Sequence, residues 1–165
     1  MTTTSETPHY DMRGHRVPAL NPADIDFIAG RICKIFKLSK QTFSASNIGL
    51  FINDLEENGV FIDSIADEEW MMEDIARAMV DPQKGFIYMP EWTYEKLNRG
   101  DPEAIRIFLH ELGHIFLCHR AMLHFSDTKG ILEEDSEWQA DEFADCVIRK
   151  LRLRPQSPQL EFKYF

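Results

Sequence analysis

Two histidines four residues apart, with a glutamate beside the first, stand inside the apolar stretch EAIRIFLHELGHIFLCH as His110-Glu111-Leu112-Gly113-His114. The stretch reads as a helix. Asp101-Pro102 supplies an N-cap and a proline at the first helical position. Ile105, Phe108, Leu109, Leu112, Ile115 and Phe116 then recur at the spacing of one buried face. Residues four apart share a face, about 6 Å along the axis, so both imidazoles can be aimed at one ion with Glu111 beside them. This is the H-E-x-x-H arrangement, in which the histidines hold zinc and the glutamate is a general base on water. Histidines satisfied by ordinary backbone or carboxylate partners would explain the five residues alone. The apolar flanks tell against that, because burying two imidazoles and a carboxylate there is costly unless something binds them.

The 165 residues predict one domain, able to bury about two-thirds of its unfolded surface. A hydrophobic content of 44% places the chain among globular proteins. With a net charge of −10, a phosphate-binding surface and direct nucleic-acid contact are not expected. Cys33, Cys118 and Cys146 are odd in number, far apart and without a C-x-x-C pair, which favours free thiols in a reducing compartment. The first residues, MTTTSETPHYDMRGHRVP, hold no apolar core of a secretory signal. No apolar run approaches the roughly 18 residues needed to cross a bilayer. The expectation is a cytosolic protein with no membrane partner.

In chain order, residues 1–22 are polar and proline-punctuated, predicting a flexible N-terminal arm. The domain proper spans 23–155, and a short aromatic tail, 156–165, follows. Pro22 opens a helix over PADIDFIAGRICKIFKL, and NIGLFINDLEEN forms a second, ended by Gly59. Val60-Phe61-Ile62 suggests a strand. The acidic cluster Asp67, Glu68, Glu69 is open between loop and helix, while Trp70 to Val80 has helical spacing closed by Asp81-Pro82. Phe86 to Met89 predicts a short β-strand, with an edge that could add a substrate strand by main-chain hydrogen bonds. Glu91 to Leu97 is helical, leading into the HELGH helix. After a polar loop, SEWQADEFADCVIRKLRL forms the last helix, capped by Asp135 or Ser136 and stopped by Pro155. The fold class expected is α+β, helices packed around a small sheet.

Catalytic zinc usually has three protein ligands and an open position. His119, Cys118, His124 and a carboxylate from another element are the candidates for the third. His119 lies about 140° around the helix from His114 and points elsewhere. It also misses the metzincin spacing, because Leu117 and Arg120 stand where glycine and histidine would be. Cys118 is about 12 Å along the axis from His110, and His124 about 21 Å if the helix continued. The stronger candidates are Glu137 and Asp141, four apart on one face of the last helix. One carboxylate can ligate the ion while the other accepts the second N–H of a ligating histidine.

HELGH followed by a helix bearing E-x-x-A-D, here EWQADEFA, resembles the gluzincin pattern of zinc peptidases. Within it, the short chain, the strand FIYM ahead of the metal helix and the ADEFA run are similar to the ImmA/IrrE family of metallo-endopeptidases. The resemblance spans roughly residues 24–153, and its sharp part is the two motifs. It implies a zincin-like core with the metal between the two motif helices. It further implies His110, His114 and Glu137 as ligands of zinc (or of manganese or another divalent ion), Glu111 as catalytic base and Asp141 as partner of a ligating histidine. The implied activity is hydrolysis of a peptide bond in a helix-turn-helix repressor of the Xre type, relieving repression. Larger members carry a further C-terminal sensor domain that this chain is too short to hold. Two other classes stay open. One is a non-proteolytic module that sequesters a repressor or antitoxin; the other is a metal-dependent hydrolase of a small molecule.

Overall fold

The computed structural model describes residues 10–71, 77–120 and 129–153. The expected aromatic tail and His124 lie outside these residues. The architecture is α+β: among the described residues, six α-helices surround a three-stranded mixed sheet. The helices are α1 (Pro22–Ile35), α2 (Ile48–Glu57), α3 (Asp67–Met71), α4 (Glu91–Asn98), α5 (Pro102–Phe116) and α6 (Ser136–Leu151). A two-residue strand β1 (Tyr10–Asp11) precedes them and pairs antiparallel with β5 (Lys129–Gly130). The main sheet holds β2 (Phe61–Ile65), β3 (Met79–Asp81) and β4 (Phe86–Pro90) in the order β2-β4-β3.

Helix starts follow the local chemistry. Asn21 and Asp24 form a capping box on α1, with Pro22 just inside it. Asp101 accepts the Ala104 amide at 3.0 Å and opens α5 ahead of Pro102. The acidic cluster Asp67–Glu69 forms the first turn of α3, where negative charge suits the positive end of the helix. α1 is shorter than its apolar pattern suggests. It stops at Ile35 because Lys37 enters the left-handed region (φ 53) and the Leu38 amide turns back to the Cys33 carbonyl.

Two expectations are corrected in the sheet. Trp70 to Val80 does not continue as one helix: Met79–Asp81 is extended and pairs antiparallel with Phe86–Tyr88. The turn between them is drawn tight by the Gly85 amide, which donates to the Asp81 carbonyl at 2.9 Å. Gly85 sits at φ 74, and a Cβ there would meet the Gly59 carbonyl oxygen at 2.4 Å, so only glycine fits. The second correction follows from the first. β4, expected to offer a free edge, is the central strand, parallel to β2 and antiparallel to β3. A docking edge cannot lie there.

Ile87 and Met89 of β4 point into the core, which continues through Leu97, Phe108, Leu109 and Leu112 to Phe143 and Val147. The most extensive packing joins α5 to α6, and α1 also packs on α6. That layering brings the histidines of α5 against the first turns of α6. Of the flexible arm expected over residues 1–22, the structure describes the part that begins at Tyr10. From Tyr10 onward it runs along the start of α6. Val17 is buried and its amide donates to the Glu134 carbonyl at 2.8 Å, while Leu20 bonds the Glu133 carbonyl at 3.1 Å.

Candidate metal centre

The approach of α5 to α6 depends on Gly113, in the middle of the HELGH motif. A Cβ there would stand 3.1 Å from the Phe143 ring and 3.2 Å from the Ala140 Cα, closer than side chains normally tolerate. A larger residue would push apart the two helices that carry the site. Gly113→Val is expected to destabilise the fold by about 1–3 kcal/mol through overpacking and to weaken divalent-metal binding. Denaturant unfolding and a zinc titration check both, and a variant as stable and as tight as wild type would contradict the packing account.

Across this contact three side chains converge. His110 Nε2 lies 2.8 Å from Glu137 Oε2 and 3.2 Å from His114 Nε2. His114 Nε2 lies 3.3 Å from Glu137 Oε1. In a tetrahedral zinc site with bonds of about 2.0–2.1 Å, neighbouring ligand atoms stand about 3.3 Å apart. Two nitrogens and a carboxylate oxygen at these separations match that donor set, and the three residues together could hold a metal ion. Cys118 does not join them. It is exposed and sits at φ 56, where its backbone turns the chain at the end of α5.

The outer nitrogens of both histidines are also held. His110 Nδ1–H donates to Asp141 Oδ1 at 2.8 Å, so Glu137 and Asp141 reach opposite nitrogens of one ring. Asp141 Oδ2 in turn pairs with Arg13 at 3.1 Å. Behind His114, its Nδ1 lies 2.8 Å from Nδ1 of His119, whose Nε2 is 2.7 Å from Gln139 Oε1. His119 is outside the converging group, as its spacing implied, yet it is packed directly against one member. The sequence carries no signal for Gln139 or for Arg13. The start of α6 is fastened by Asp135, wholly buried, which accepts the Tyr10 hydroxyl at 2.6 Å and the amides of Arg13, Gly14 and Glu137 at 2.9, 3.0 and 3.0 Å. Gly14 lies where a Cβ would meet Glu137 Cγ at 2.7 Å. The N-terminal segment thus forms one wall around Glu137.

The electrostatics of the metal-free site follow from these contacts. Burial opposes a charge on His110, but its bonds to Asp141 and Glu137 and the field of Glu111 outweigh that and push it up to about 10. The same bonds to His110 and His114, working against burial, hold Glu137 well below the usual carboxylate range. Burial raises Asp141, and the bonds to His110 and Arg13 more than reverse this. Glu111 is shifted the other way: burial raises it, His110 and His114 only partly offset that, and Glu137 adds to it. Burial also lowers His119 to about 4, so its ring is neutral at pH 7.

A metal ion bound by this group would have to displace the second ring proton of His110. Below a pKa of about 10 the proton competes, so apparent affinity should rise with pH, by about tenfold per unit at neutral pH, levelling off near that value. Calorimetric zinc titrations in buffers of different ionisation enthalpy should show about one proton released per ion at pH 7. Binding with no proton release would contradict this charge state.

Glu111 and the three converging residues line a cleft of about 670 Å³, together with Ala78 and Met79 at the start of β3. Comparison of the chain with family models, with curated proteins and with solved structures gave no match.

Proposed function

We infer that this chain is a metal-dependent endopeptidase of the kind the ImmA/IrrE resemblance implies, with α5, α6 and the sheet as a zincin-like core. The observation that carries the reading is the convergence of His110 Nε2, His114 Nε2 and a Glu137 carboxylate oxygen, with the buried Glu111 carboxylate lining the same cleft. A structural zinc site is normally closed by four protein ligands and has no use for a general base; three ligands beside a carboxylate suit catalysis. Zinc bound there would act as a Lewis acid on a substrate carbonyl and make water a competent nucleophile near neutral pH.

The remaining chemistry belongs to the chain. Glu111 takes a proton from the attacking water and passes it to the leaving amine. Glu137 and the two histidines hold the ion, and Asp141 orients His110. β3 is an edge of the main sheet and lines the cleft. Its outer main-chain groups are the place for an extended substrate segment to pair, in place of β4. The proposed substrate is a helix-turn-helix repressor of the Xre type, and this rests on the resemblance.

The test is mass spectrometry of such a repressor incubated with the protein and zinc, beside a chelated control. Discrete fragments formed only with metal support the reading. An intact repressor that nevertheless loses its DNA binding would point instead to sequestration and overturn hydrolysis.

A further inference from the structure

His119 takes no part in the chemistry above, yet it is buried against His114 and leads to a glutamine with no exposed surface. We propose that His119 and Gln139 are positioning residues that hold His114 in the tautomer whose Nε2 lone pair faces the metal. The proposal rests on the metal-centre reading and extends it to residues outside the ligand set.

The chain of contacts is anchored at its far end by Gln139. The Gln139 amide nitrogen lies 2.9 Å from the Pro18 carbonyl and 2.7 Å from the Glu133 carbonyl. Two carbonyl oxygens can be met only by N–H groups, so this amide cannot be turned over. Both its hydrogens are used, and Oε1 is left to face His119. Because Oε1 can only accept, His119 Nε2 carries a hydrogen and donates at 2.7 Å. A neutral ring with its hydrogen on Nε2 has its lone pair on Nδ1. With a metal on its Nε2, the His114 ring carries its hydrogen on Nδ1, and a charged His119 would set a second N–H against it at 2.8 Å. His119 Nδ1 therefore accepts, and the partner 2.8 Å away, His114 Nδ1, donates. His114 is thereby left with its lone pair on Nε2, the atom that converges with His110 and Glu137.

The backbone supplies the geometry. Cys118 at φ 56 ends α5 by letting the Cys118 amide reach the Ile115 carbonyl and the His119 amide the His114 carbonyl, each at 3.0 Å. The chain folds back over the last turn, and the side chain of His119 is set behind that of His114. The two ligating histidines are thus supported differently. His110 leans on a carboxylate, which raises its basicity; His114 leans on a neutral relay, which fixes its tautomer without adding charge. The relay begins at Pro18, so the N-terminal segment acts on both histidines, through Arg13 on Asp141 and through Pro18 on Gln139.

The test combines ring-nitrogen NMR of the ¹⁵N-histidine-labelled, zinc-loaded protein with zinc competition titrations of two variants. In wild type, His119 should carry its hydrogen on Nε2 alone and His114 on Nδ1. His119→Leu should bind zinc about 10–100-fold more weakly, the usual loss for an outer partner of a ligand. His119→Gln, whose amide oxygen and nitrogen are spaced like the two ring nitrogens, should recover most of that loss. A zinc-loaded wild type with His119 protonated on Nδ1 would overturn the relay and leave the metal centre standing, as would His119→Leu with wild-type affinity. A wild-type chain that takes up no zinc would overturn the metal-centre reading and the relay with it.

Discussion

Alanine at His110 or at His114 is expected to remove the metal from the protein. Each substitution leaves two protein ligands where a catalytic ion needs three. A complete zinc site supplies about 10–16 kcal/mol shared over its ligands, so one lost ligand should weaken affinity by about two to three orders of magnitude. His110→Ala does more than delete a ligand. It also leaves Asp141, which accepts from the His110 ring, with Arg13 as its other partner. The loss there should be at least as large as at His114. Cys118→Ala, at an exposed residue away from the group, should change nothing. Metal stoichiometry after dialysis and competition with a chromophoric chelator measure both. Full occupancy in the two histidine variants would show that the convergence of side chains is an ordinary hydrogen-bonded cluster.

The second large effect is expected at Glu111. Its carboxylate is buried, lines the cleft and is not among the three converging groups. Glu111→Gln keeps the shape and removes the ability to take and return a proton. The chain should therefore stay folded and keep its metal, while hydrolysis of a cleaved substrate falls by about 10²–10⁴-fold, the range of general-base catalysis. The comparison needs rates measured on metal-loaded protein with occupancy determined beside them. A Glu111→Gln variant that cuts at the wild-type rate would assign the base elsewhere.

The site's first half is plainly written in the sequence because its signals are local. An N-cap, a proline and an apolar stripe set α5, and the two histidines share a face as their spacing requires. Glu137 and Asp141 were legible as a pair four apart on α6, and they meet His110 on its two nitrogens. What supports that half was not legible, because it is made by contacts distant in sequence. Arg13 reaches Asp141 across more than a hundred residues, and Gln139 is one polar residue in a helix rich in them. His119 points away only if the helix continues. The left-handed turn at Cys118 reverses that, and with no glycine there the turn left no mark, unlike the one at Gly59. Met79–Asp81 kept a helical spacing because a three-residue strand is chosen by its neighbour, β4, and not by its own pattern. The N-terminal segment has no periodicity at all. Its place is set by the buried Asp135 carboxylate, whose four donors no local pattern announces.

The most direct measurement is anomalous X-ray scattering from crystals of the protein soaked with zinc, recorded on both sides of the zinc absorption edge. One strong peak per chain is expected, about 2.0–2.2 Å from His110 Nε2, His114 Nε2 and a Glu137 carboxylate oxygen. Zinc found elsewhere on the chain, or no peak between α5 and α6 in crystals that have taken up the metal, would contradict it.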